Sequence, residues 1–527
     1  MIRTLAKLTA GVSLAAMVSG ASFAQVVYNR GNDTDPVSLD HHKTSTIAES
    51  NLSRDLYEGL VIYNPKAEVV PGVAESWEVS DDGLVYTFKL RADAKWSNGD
   101  DVTADDFVFA YQRIQDPATA AGYANVLYPM KNAEKINNGE MPKEELGVKA
   151  LDPKTLEITL ENPTPYFLEL LTHQTGLPLH RASVEQFGDQ FVQPGNLVSN
   201  GAYTLVSFTP NDKIVMQKNP NFHDAENVKI DTINYIPFED RAACLRRFEA
   251  GEIHSCADVD AEQMDYMRQT LGDQLRIAPY LGVYYLPIKM KKEKLADPRI
   301  RHAMSLVIDR EFLAEEIWQG TMIPGYSLVP PGIANYDDPL TMDIKDKDLL
   351  DREDEAKALL EEAGIEPGEL SVELMFNTGG NHKATMTAIA DMFKKIGIEA
   401  TLNEKEGTGY FDYMKNDGDF DMARAGWIGD YNDPQNFLFL YESDNLGFNY
   451  PRWSNAEYDS LMEQAETTTD LAARSDLLEK AEALLLEELP IIPILYYSSR
   501  SLVSSKLKGW EDNVMNVHGT RFLSLEN

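Results

Sequence analysis

Cysteine is almost absent from this sequence of 527 residues, which contains only Cys244 and Cys256. This scarcity excludes a disulfide-rich scaffold, and the length indicates two or three domains rather than one core. In an oxidising compartment the pair can form one local disulfide; the alternative is two separate buried thiols. A metal site at the pair is not expected, because His254 is the only further ligand close by in sequence.

Long apolar runs are missing after the first 24 residues, so no transmembrane helix is predicted there. At the N-terminus, Arg3 and Lys7 precede an uncharged stretch, residues 8–24. This stretch ends in SFA, with small residues at Ser22 and Ala24. This layout is typical of a secretory signal cleaved before Gln25; an N-terminal membrane anchor is the alternative. No cysteine follows the signal, so we expect a product without a lipid anchor, outside the cytoplasm.

Cations are scarce relative to acids. The chain has 48 Lys and Arg against 85 Asp and Glu, and its formal net charge is −37. Such a balance argues against nucleic acid or an anionic membrane surface as a partner. It favours solubility and a mild enrichment of cationic ligands, and it identifies no particular ligand.

Catalytic signatures are also missing. The sequence has no G-x-S-x-G elbow, no H-E-x-x-H zinc motif, no Walker loop and no dinucleotide-binding G-x-G-x-x-G. His41 and His42 are adjacent, so they cannot share a helical face as metal ligands would. We therefore predict neither an enzyme nor a metal or other cofactor.

Strands and helices alternate without a repeat period, which favours α/β or mixed α+β lobes. Residues 85–90 alternate as a strand does, and Thr103 is placed to cap a helix that follows. Residues 370–403 have the pattern of a strand, a helix and a parallel returning strand. Further strands are expected at 155–161, 203–208, 213–217, 230–236, 420–427 and 491–496, and helices at 239–250, 298–318, 455–466 and 470–488.

The sequence contains 24 tyrosines and 6 tryptophans, and some of the tyrosines are grouped in the stretches PYLGVYYLPI at 279–288 and PILYYSS at 493–499. Most aromatic side chains should lie in the core or at a domain seam. Those at strand ends could instead line a ligand cavity between lobes, where concave sites tend to form.

Several segments resemble a known family. AESWEVSDDGLVYTFKLRADAKWSNGDDVTADD (74–106) is similar to the signature of solute-binding protein family 5, the large extracytoplasmic receptors of peptide and nickel ABC importers. The oligopeptide-binding branch is resembled by DPATAAGYANVLYP (116–129), GVKALDPKTLEITLENPTPYFLELL (147–171), QPGNLVSNGAYTL (193–205), PYLGVYY (279–285) and FDMARAGW (420–427).

The resemblance implies the type II (class C) periplasmic-binding-protein fold, in which two lobes enclose the ligand and a third domain is an accessory. On this basis we expect a signal peptide at 1–24 and three domains after it. Domain I is discontinuous and comprises 25–58, 183–281 and 498–527, domain II comprises 59–182, and domain III comprises 282–497. The chain would cross between lobes near residues 281 and 497, which would serve as hinges.

The resemblance also implies a site in the stretch RAGWIGDYNDP (424–434). Asp430 matches the aspartate that binds the α-ammonium of a peptide, although aspartate also suits the turn that follows. Arg424 and His382 match cationic positions for the peptide carboxylate. The alternatives are a structural ion pair for Arg424 and a helix-capping or surface position for His382. Gly426 and Gly429 would let a ligand backbone approach closely.

Other matched positions divide into pocket residues and departures from the family pattern. Trp427, Tyr123, Tyr285 and Ile47 match pocket positions, and lobe packing is an alternative for the aromatic ones. The departures are Ser45 for an acidic residue, Trp318 for a lysine, Lys415 for an arginine and Thr408 for a tryptophan. A pocket disulfide of some members is replaced by Gly282 and Ile428.

The function implied is a monomeric periplasmic receptor that captures oligopeptides and delivers them to an ABC permease, with ATP hydrolysis on separate subunits. One alternative keeps the fold and changes the ligand to murein tripeptide, another zwitterion, a metallophore or haem. Another is a secreted peptide hydrolase, for which the sequence contains no recognisable nucleophile or metal motif.

Overall fold

The computed structural model of the chain describes residues 25–238, 240–336, 340–378, 381–406 and 409–526. The expected signal peptide and Thr408 lie outside these residues. Within them, no helix is long and apolar enough to cross a membrane. The helices are α1 (Ile47–Leu56), α2 (Ala104–Gln115), α3 (Ala133–Asn137), α4 (Phe167–Leu170), α5 (Arg181–Phe187), α6 (Arg241–Glu249), α7 (Met264–Leu271), α8 (Pro298–Val307), α9 (Arg310–Phe312), α10 (Leu349–Glu362), α11 (His382–Lys395), α12 (Tyr410–Lys415), α13 (Gln435–Leu438), α14 (Ala456–Thr467) and α15 (Leu471–Glu488).

The strands form one large sheet and several smaller ones. They are β1 (Val27–Gly31), β2 (Val61–Tyr63), β3 (Val69–Pro71), β4 (Ala74–Val79), β5 (Val85–Leu90), β6 (Val148–Asp152), β7 (Thr155–Thr159), β8 (Tyr203–Thr209), β9 (Lys213–Lys218), β10 (Thr232–Ile236), β11 (Ser255–Cys256), β12 (Leu275–Pro287), β13 (Met322–Pro324), β14 (Ser371–Asn377), β15 (Glu399–Lys405), β16 (Met422–Ala423), β17 (Ala425–Ile428), β18 (Ile491–Val503), β19 (Leu507–Lys508) and β20 (Ser524–Leu525).

The large sheet has the order β17-β12-β18-β11-β1-β10-β9-β8, and β13 also pairs with β18. Strands β12 and β18 are antiparallel along most of their 13 residues, with a register shift between Pro279 and Val283. A second sheet, in the order β4-β5-β7-β6, is antiparallel. The pairs β2-β3 and β19-β20 stand apart from both sheets.

Local sequence explains where several elements begin. Thr103 is the N-cap of α2, as the sequence predicts, and the Asp106 carboxylate accepts hydrogen bonds from both the backbone N–H and the hydroxyl of Thr103. The predicted unit at 370–403 is confirmed: β14 and β15 are parallel, and α11 connects them. β16 extends this sheet in the order β15-β14-β16.

Two predicted elements are wrong in their extent. The expected helix at 298–318 ends at Val307, because Asp309 accepts a hydrogen bond from the Phe312 N–H and starts a new short helix. The chain then continues through the π-helical turn Leu313–Ile317. The expected strand at 420–427 is split at Arg424 into β16 and β17, which belong to different sheets.

The buried side chains form separate cores. The largest combines residues from β1 to β10 with the C-terminal segment, including Tyr28, Phe107 and Leu523. Two further cores contain only residues between 281 and 496, one around α8 and α11 and the other around α13 to α15. A small core surrounds Cys244 and Cys256, which form a disulfide between α6 and β11.

Candidate ligand-binding cleft

A cavity of about 440 Å³ opens between the N-terminal helix α1 and the segment that follows β17. Residues singled out in the sequence analysis line it together: Ser45, Ile47, Tyr123, Ile428, Gly429 and Asp430. Ile47 is 54% exposed and Ile428 is 39% exposed, so apolar side chains are presented to the cavity from both sides. The complete lining is Ser45, Thr46, Ile47, Ser50, Arg54, Tyr123, His173, Gln174, Tyr280, Ile428, Gly429, Asp430, Met515, Asn516 and Val517.

Asp430 is the only acidic residue in this lining. Its side chain is exposed to the cavity, and within the described part of the chain it has no hydrogen-bond or ion-pair partner. Desolvation by the surrounding protein raises the pKa of its carboxyl to about 6. At neutral pH the site therefore presents an unpaired carboxylate, which a ligand cation can stabilise.

The turn that carries Asp430 is held by its neighbours. Gly429 N–H donates to Leu281 O at 2.8 Å, and Asn432 Oδ1 accepts from Ala334 N–H at 2.9 Å. Asp433 forms two hydrogen bonds, of 2.7 and 2.8 Å, with the Arg474 guanidinium.

Both partners of this ion pair are almost completely buried. Asp433 also accepts from the Gln435 N–H at the start of α13. The structural aspartate of this turn is thus Asp433, which leaves the Asp430 carboxylate available.

A second contact fixes the same turn from the opposite side. The Tyr431 ring stacks on Tyr166, with ring centroids 5.2 Å apart and an angle of 4° between the planes. The Arg474 guanidinium lies over the Tyr166 ring at 5.3 Å. Tyr431 also packs against the largest core. Through Tyr166 and this core, the turn that carries Asp430 is in direct contact with the part of the chain before residue 182.

Arg424 lies at the break between β16 and β17, where its backbone is satisfied by a side chain. The Tyr410 hydroxyl donates to Arg424 O at 2.8 Å and accepts from Arg424 N–H at 3.1 Å. The guanidinium donates to the Tyr497 hydroxyl at 2.8 Å and to Asn377 Oδ1 at 3.3 Å, and it lies 4.9 Å from the Tyr284 ring centre. It forms no ion pair with any carboxylate of the described residues, so this buried cation lacks an anion.

His382 begins α11 and, like Trp318, lies beside Tyr284. His382 Nδ1 is 3.4 Å from the Tyr284 hydroxyl, and Trp318 Nε1 donates to Thr385 Oγ1 at 3.0 Å. Burial lowers the pKa of His382 to about 4, and the nearby Arg424 contributes. His382 is therefore neutral at physiological pH in this structure and acts here as a hydrogen-bonding group rather than a cation.

Trp427 and Lys415 meet through Phe448 on another side of β17. The Trp427 ring lies 5.0 Å from Phe448, and Lys415 Nζ lies 5.1 Å from the same ring. Trp427 Nε1 donates to Asn436 Oδ1 at 2.8 Å. This contact connects the RAGW segment to helix α13.

Tyr285 is not a cleft residue in this structure. It is 2% exposed, and its ring packs against Tyr441 within a core. Its neighbour Tyr284 takes the place beside Arg424, because successive side chains of a strand point to opposite faces. In this structure Tyr285 has the packing arrangement given as the alternative, and its match to a pocket position stays a prediction.

Both glycines of the stretch have a packing reason inside the protein. A Cβ on Gly426 would lie 2.6 Å from the Tyr497 hydroxyl, and one on Gly429 would lie 2.6 Å from the Leu281 side chain. The close approach at both glycines is thus made by side chains of the protein itself, Tyr497 and Leu281. Gly282 and Ile428 are direct partners across β12 and β17, which places the two positions of the absent disulfide side by side.

Some cleft residues were not selected from the sequence. Arg54 and Tyr280 line the cavity with Asp430, and Tyr284 and Tyr497 contact Arg424. The three tyrosines belong to the aromatic stretches at 279–288 and 493–499, so the clustering of aromatics was the available signal. No sequence pattern distinguished Arg54.

Residues 68–448 match the family described as bacterial extracellular solute-binding proteins, family 5 Middle. The chain therefore belongs to the bacterial extracellular solute-binding proteins of family 5. It is 36% identical over 524 residues to the periplasmic oligopeptide-binding protein OppA of Salmonella typhimurium, which covers 98% of this chain and 94% of that protein.

Solved structures show the same architecture. The unliganded open form of MppA, a periplasmic murein tripeptide-binding protein, superposes with a TM-score of 0.89 at 34% identity, covering 95% of this chain and 97% of the other. OppA of Haemophilus influenzae in complex with RPPGFSPFR gives a TM-score of 0.72, also at 34% identity, with 95% and 99% covered. The present structure is thus more similar to the open form than to the peptide complex.

Proposed function

We propose that this protein is a periplasmic receptor that encloses an oligopeptide between two lobes and delivers it to the permease of an ABC transporter. The observation that carries the proposal is Asp430, an unpaired carboxylate in a cavity of about 440 Å³. A peptide α-ammonium matches it in charge and in its three hydrogen-bond donors. The names of the relatives, oligopeptide-binding and murein peptide-binding, support this ligand class.

At the other end of the cleft, Arg424 is the proposed group for a peptide carboxylate. It is a buried cation whose hydrogen-bond partners are a phenol and an amide, so an arriving anion would gain a full charge pair. His382 can add a hydrogen bond, and Trp318 borders the same region. Trp427 and Lys415 lie around Phe448 on another side of β17, and a role for them toward a longer peptide stays a proposal. Backbone hydrogen bonds to an extended peptide would supply the remaining affinity.

We further propose the domain division expected from the resemblance. Residues 25–58, 183–281 and 498–527 form one lobe with the accessory residues 59–182, and residues 282–497 form the other. The separation of the cores near residues 281 and 496 supports this division. The register shift after Pro279 in β12 supports a hinge there, since a shift interrupts the regular hydrogen bonding of the two crossing strands.

Export through the expected signal peptide would place the protein in the periplasm, as the names of its relatives indicate for them. The chain would act as a monomeric binding component, with the permease and its ATPase as separate subunits. The family to which it belongs consists of solute-binding proteins.

Titration calorimetry with the tripeptide Ala-Ala-Ala and its N-acetylated form tests the ammonium assignment. The free tripeptide should bind, and the acetylated one should lose on the order of 100-fold or more in affinity, because it would cover the Asp430 carboxylate without supplying a cation. Equal affinities would contradict the assignment of Asp430. Failure of both peptides would contradict the proposed ligand class.

Murein tripeptide is the second candidate ligand, favoured by the similarity to MppA. Mass spectrometry of the ligand released by denaturing protein purified from its native periplasm distinguishes the candidates. A mixture of linear peptides supports the general receptor. A single species carrying diaminopimelate supports the murein ligand.

A further inference from the structure

Arg54 is a cation without an anion in the Asp430 cavity. It lies in the last turn of α1 and lines the same space of about 440 Å³. Its Nε is shielded from solvent and has no hydrogen-bond partner. Within the part of the chain that the structure describes, no carboxylate, carbonyl or aromatic face contacts its guanidinium.

Three buried arginines of this protein, Arg474, Arg310 and Arg301, have direct acceptors for their guanidinium groups. Arg474 forms a two-bond ion pair with Asp433, Arg310 donates to the carbonyls of Gly325 and Pro493, and Arg301 donates to Glu488 O. A half-buried guanidinium without such partners is unfavourable, so a ligand that supplies an acceptor would stabilise it. Burial lowers the pKa of Arg54 from its ordinary value, which expresses the same cost.

The end of α1 does not remove this cost. The carbonyl end of a helix favours a nearby cation, but at a surface site by only a fraction of a kcal/mol to about 1 kcal/mol at low ionic strength. Arg54 therefore has a modest local benefit and no direct acceptor.

The rest of the cavity lining does not neutralise Arg54 either. Apart from Asp430, His173 and Arg54 itself, the side chains of the lining are hydroxyl, amide or apolar groups, and the residue at position 45 is a serine. His173 is uncharged at neutral pH, because burial lowers its pKa to about 3. The cavity thus holds one carboxylate and one guanidinium that do not pair with each other.

We propose that Arg54 binds an acidic side chain on the first residue of the bound peptide, so that this cavity selects peptides beginning with Glu or Asp. The inference rests on the proposed function, because Asp430 places the α-ammonium in the same cavity. A ligand carrying an ammonium and a carboxylate on one residue neutralises both charges at once. Guanidinium and carboxylate also fit each other through two parallel hydrogen bonds.

The test compares Glu-Ala-Ala with its uncharged isostere Gln-Ala-Ala by titration calorimetry at pH 7. The wild-type protein should bind Glu-Ala-Ala about tenfold or more tightly, as expected for a hydrogen-bonded charge pair. Arg54→Met, which keeps much of the aliphatic length, should lose this preference and bind Glu-Ala-Ala and Gln-Ala-Ala equally. Arg246→Met, at an exposed arginine remote from the cavity lining, should keep the preference.

Three results would overturn the inference. Equal binding of the two peptides by the wild-type protein does so whatever the variants show, including an Arg54→Met protein that fails to fold. A preference for Glu that survives in folded Arg54→Met assigns it to another residue. If the wild-type protein prefers Glu over Gln only in Ala-Glu-Ala and Ala-Gln-Ala, the acidic side chain is recognised at the second residue of the peptide and not at the first.

The same experiment distinguishes failure of the proposed function from failure of the role inferred for Arg54. If neither Glu-Ala-Ala nor Gln-Ala-Ala binds the wild-type protein, both the proposed function and this inference are rejected. If Gln-Ala-Ala binds as well as Glu-Ala-Ala, the peptide receptor stands and only the role of Arg54 is rejected.

Discussion

Asp430 and Arg424, at the two ends of the proposed cleft, are opposite charges in very different surroundings. Asp430 faces an open cavity and has no partner among the described residues, whereas Arg424 is 8% exposed and surrounded by aromatic side chains. Tyr284 lies against the guanidinium, and Tyr497 and Asn377 accept its hydrogen bonds. The Asp430 carboxylate is accessible to a cation from solvent, whereas the Arg424 guanidinium is already packed among protein side chains.

The difference indicates how binding energy is divided. At the Asp430 end, a ligand ammonium would supply the missing partner without displacing any protein group. At the Arg424 end, a carboxylate must compete with a phenol and an amide that already accept from the guanidinium. We therefore expect the ammonium end to contribute more to affinity and the carboxylate end to tolerate more variation in the ligand.

Replacing Asp430 with Asn should have the largest effect on binding. The ammonium of Ala-Ala-Ala would enter a desolvated cavity without a counter-charge, so affinity should fall on the order of 100-fold or more. Titration calorimetry measures this loss. Asp391→Asn, an exposed aspartate on α11, is the control and should bind like the wild type. An Asp430→Asn protein of unchanged affinity would show that the ammonium lies elsewhere.

Replacing Arg424 with Met should cost less in affinity, about tenfold for a tripeptide with a free carboxylate. The control is the tripeptide amide, which the wild-type and the variant protein should bind equally. Because the variant removes a buried cation that lacks an anion, the ligand-free protein should keep its stability or gain about 1 kcal/mol in urea unfolding. A loss of several kcal/mol would mean that Arg424 is a structural residue.

Much of the fold is predictable from local patterns and from the resemblance to family 5. The start of α2 at Thr103 and the parallel unit at 370–403 depend on residues close together in sequence. The convergence of Ser45, Tyr123 and Asp430 on one cavity joins segments nearly 400 positions apart. Only the family match could suggest it, since periodicity carries no information about contacts at that range.

The details that sequence missed depend on register and on distant partners. Tyr284 and Tyr285 differ only in which strand face they occupy, and a shift of one residue exchanges the two faces. The split of the predicted strand at Arg424 depends on the Tyr410 hydroxyl, fourteen residues away, which satisfies the backbone there. Whether Arg54 has a partner depends on the whole cavity lining, which no local pattern encodes.

The pH dependence of binding should follow the Asp430 end. Because the pKa of Asp430 is raised to about 6 and an ammonium binds its ionised form, affinity should decline as pH falls through 6. The limiting slope is about tenfold per pH unit. His382, with its pKa lowered to about 4, is neutral across most of this range and adds little. Calorimetry between pH 5 and 7.5 measures the decline, and Asp430→Asn should lack it.

The two ends should also affect folding stability in opposite directions. The folded-state pKa of Asp430 is raised, so its contribution to stability is present at low pH and is lost as pH rises through about 6. The folded-state pKa of His382 is depressed, so its contribution is present above about 6.5 and is lost as pH falls toward 4. Urea unfolding of the wild type, Asp430→Asn and His382→Gln between pH 4.5 and 7.5 separates the two contributions. The stability difference between the wild type and each variant should change with pH in opposite directions for the two residues. A change in the same direction would contradict the two pKa shifts.

Adding one methyl group at Gly426 or at Gly429 should have the smallest and most local effects on tripeptide affinity. In Gly426→Ala the new Cβ would crowd the Tyr497 hydroxyl, so the bond from Arg424 should weaken and tripeptide affinity should fall a few-fold, about 1 kcal/mol or less. In Gly429→Ala the Cβ would press on Leu281 and shift the turn that carries Asp430, so its loss should be larger. Calorimetry with Ala-Ala-Ala and its amide separates the two, because only the Gly426→Ala loss should depend on the free carboxylate. If the amide is affected equally by Gly426→Ala, the carboxylate of the tripeptide does not reach Arg424.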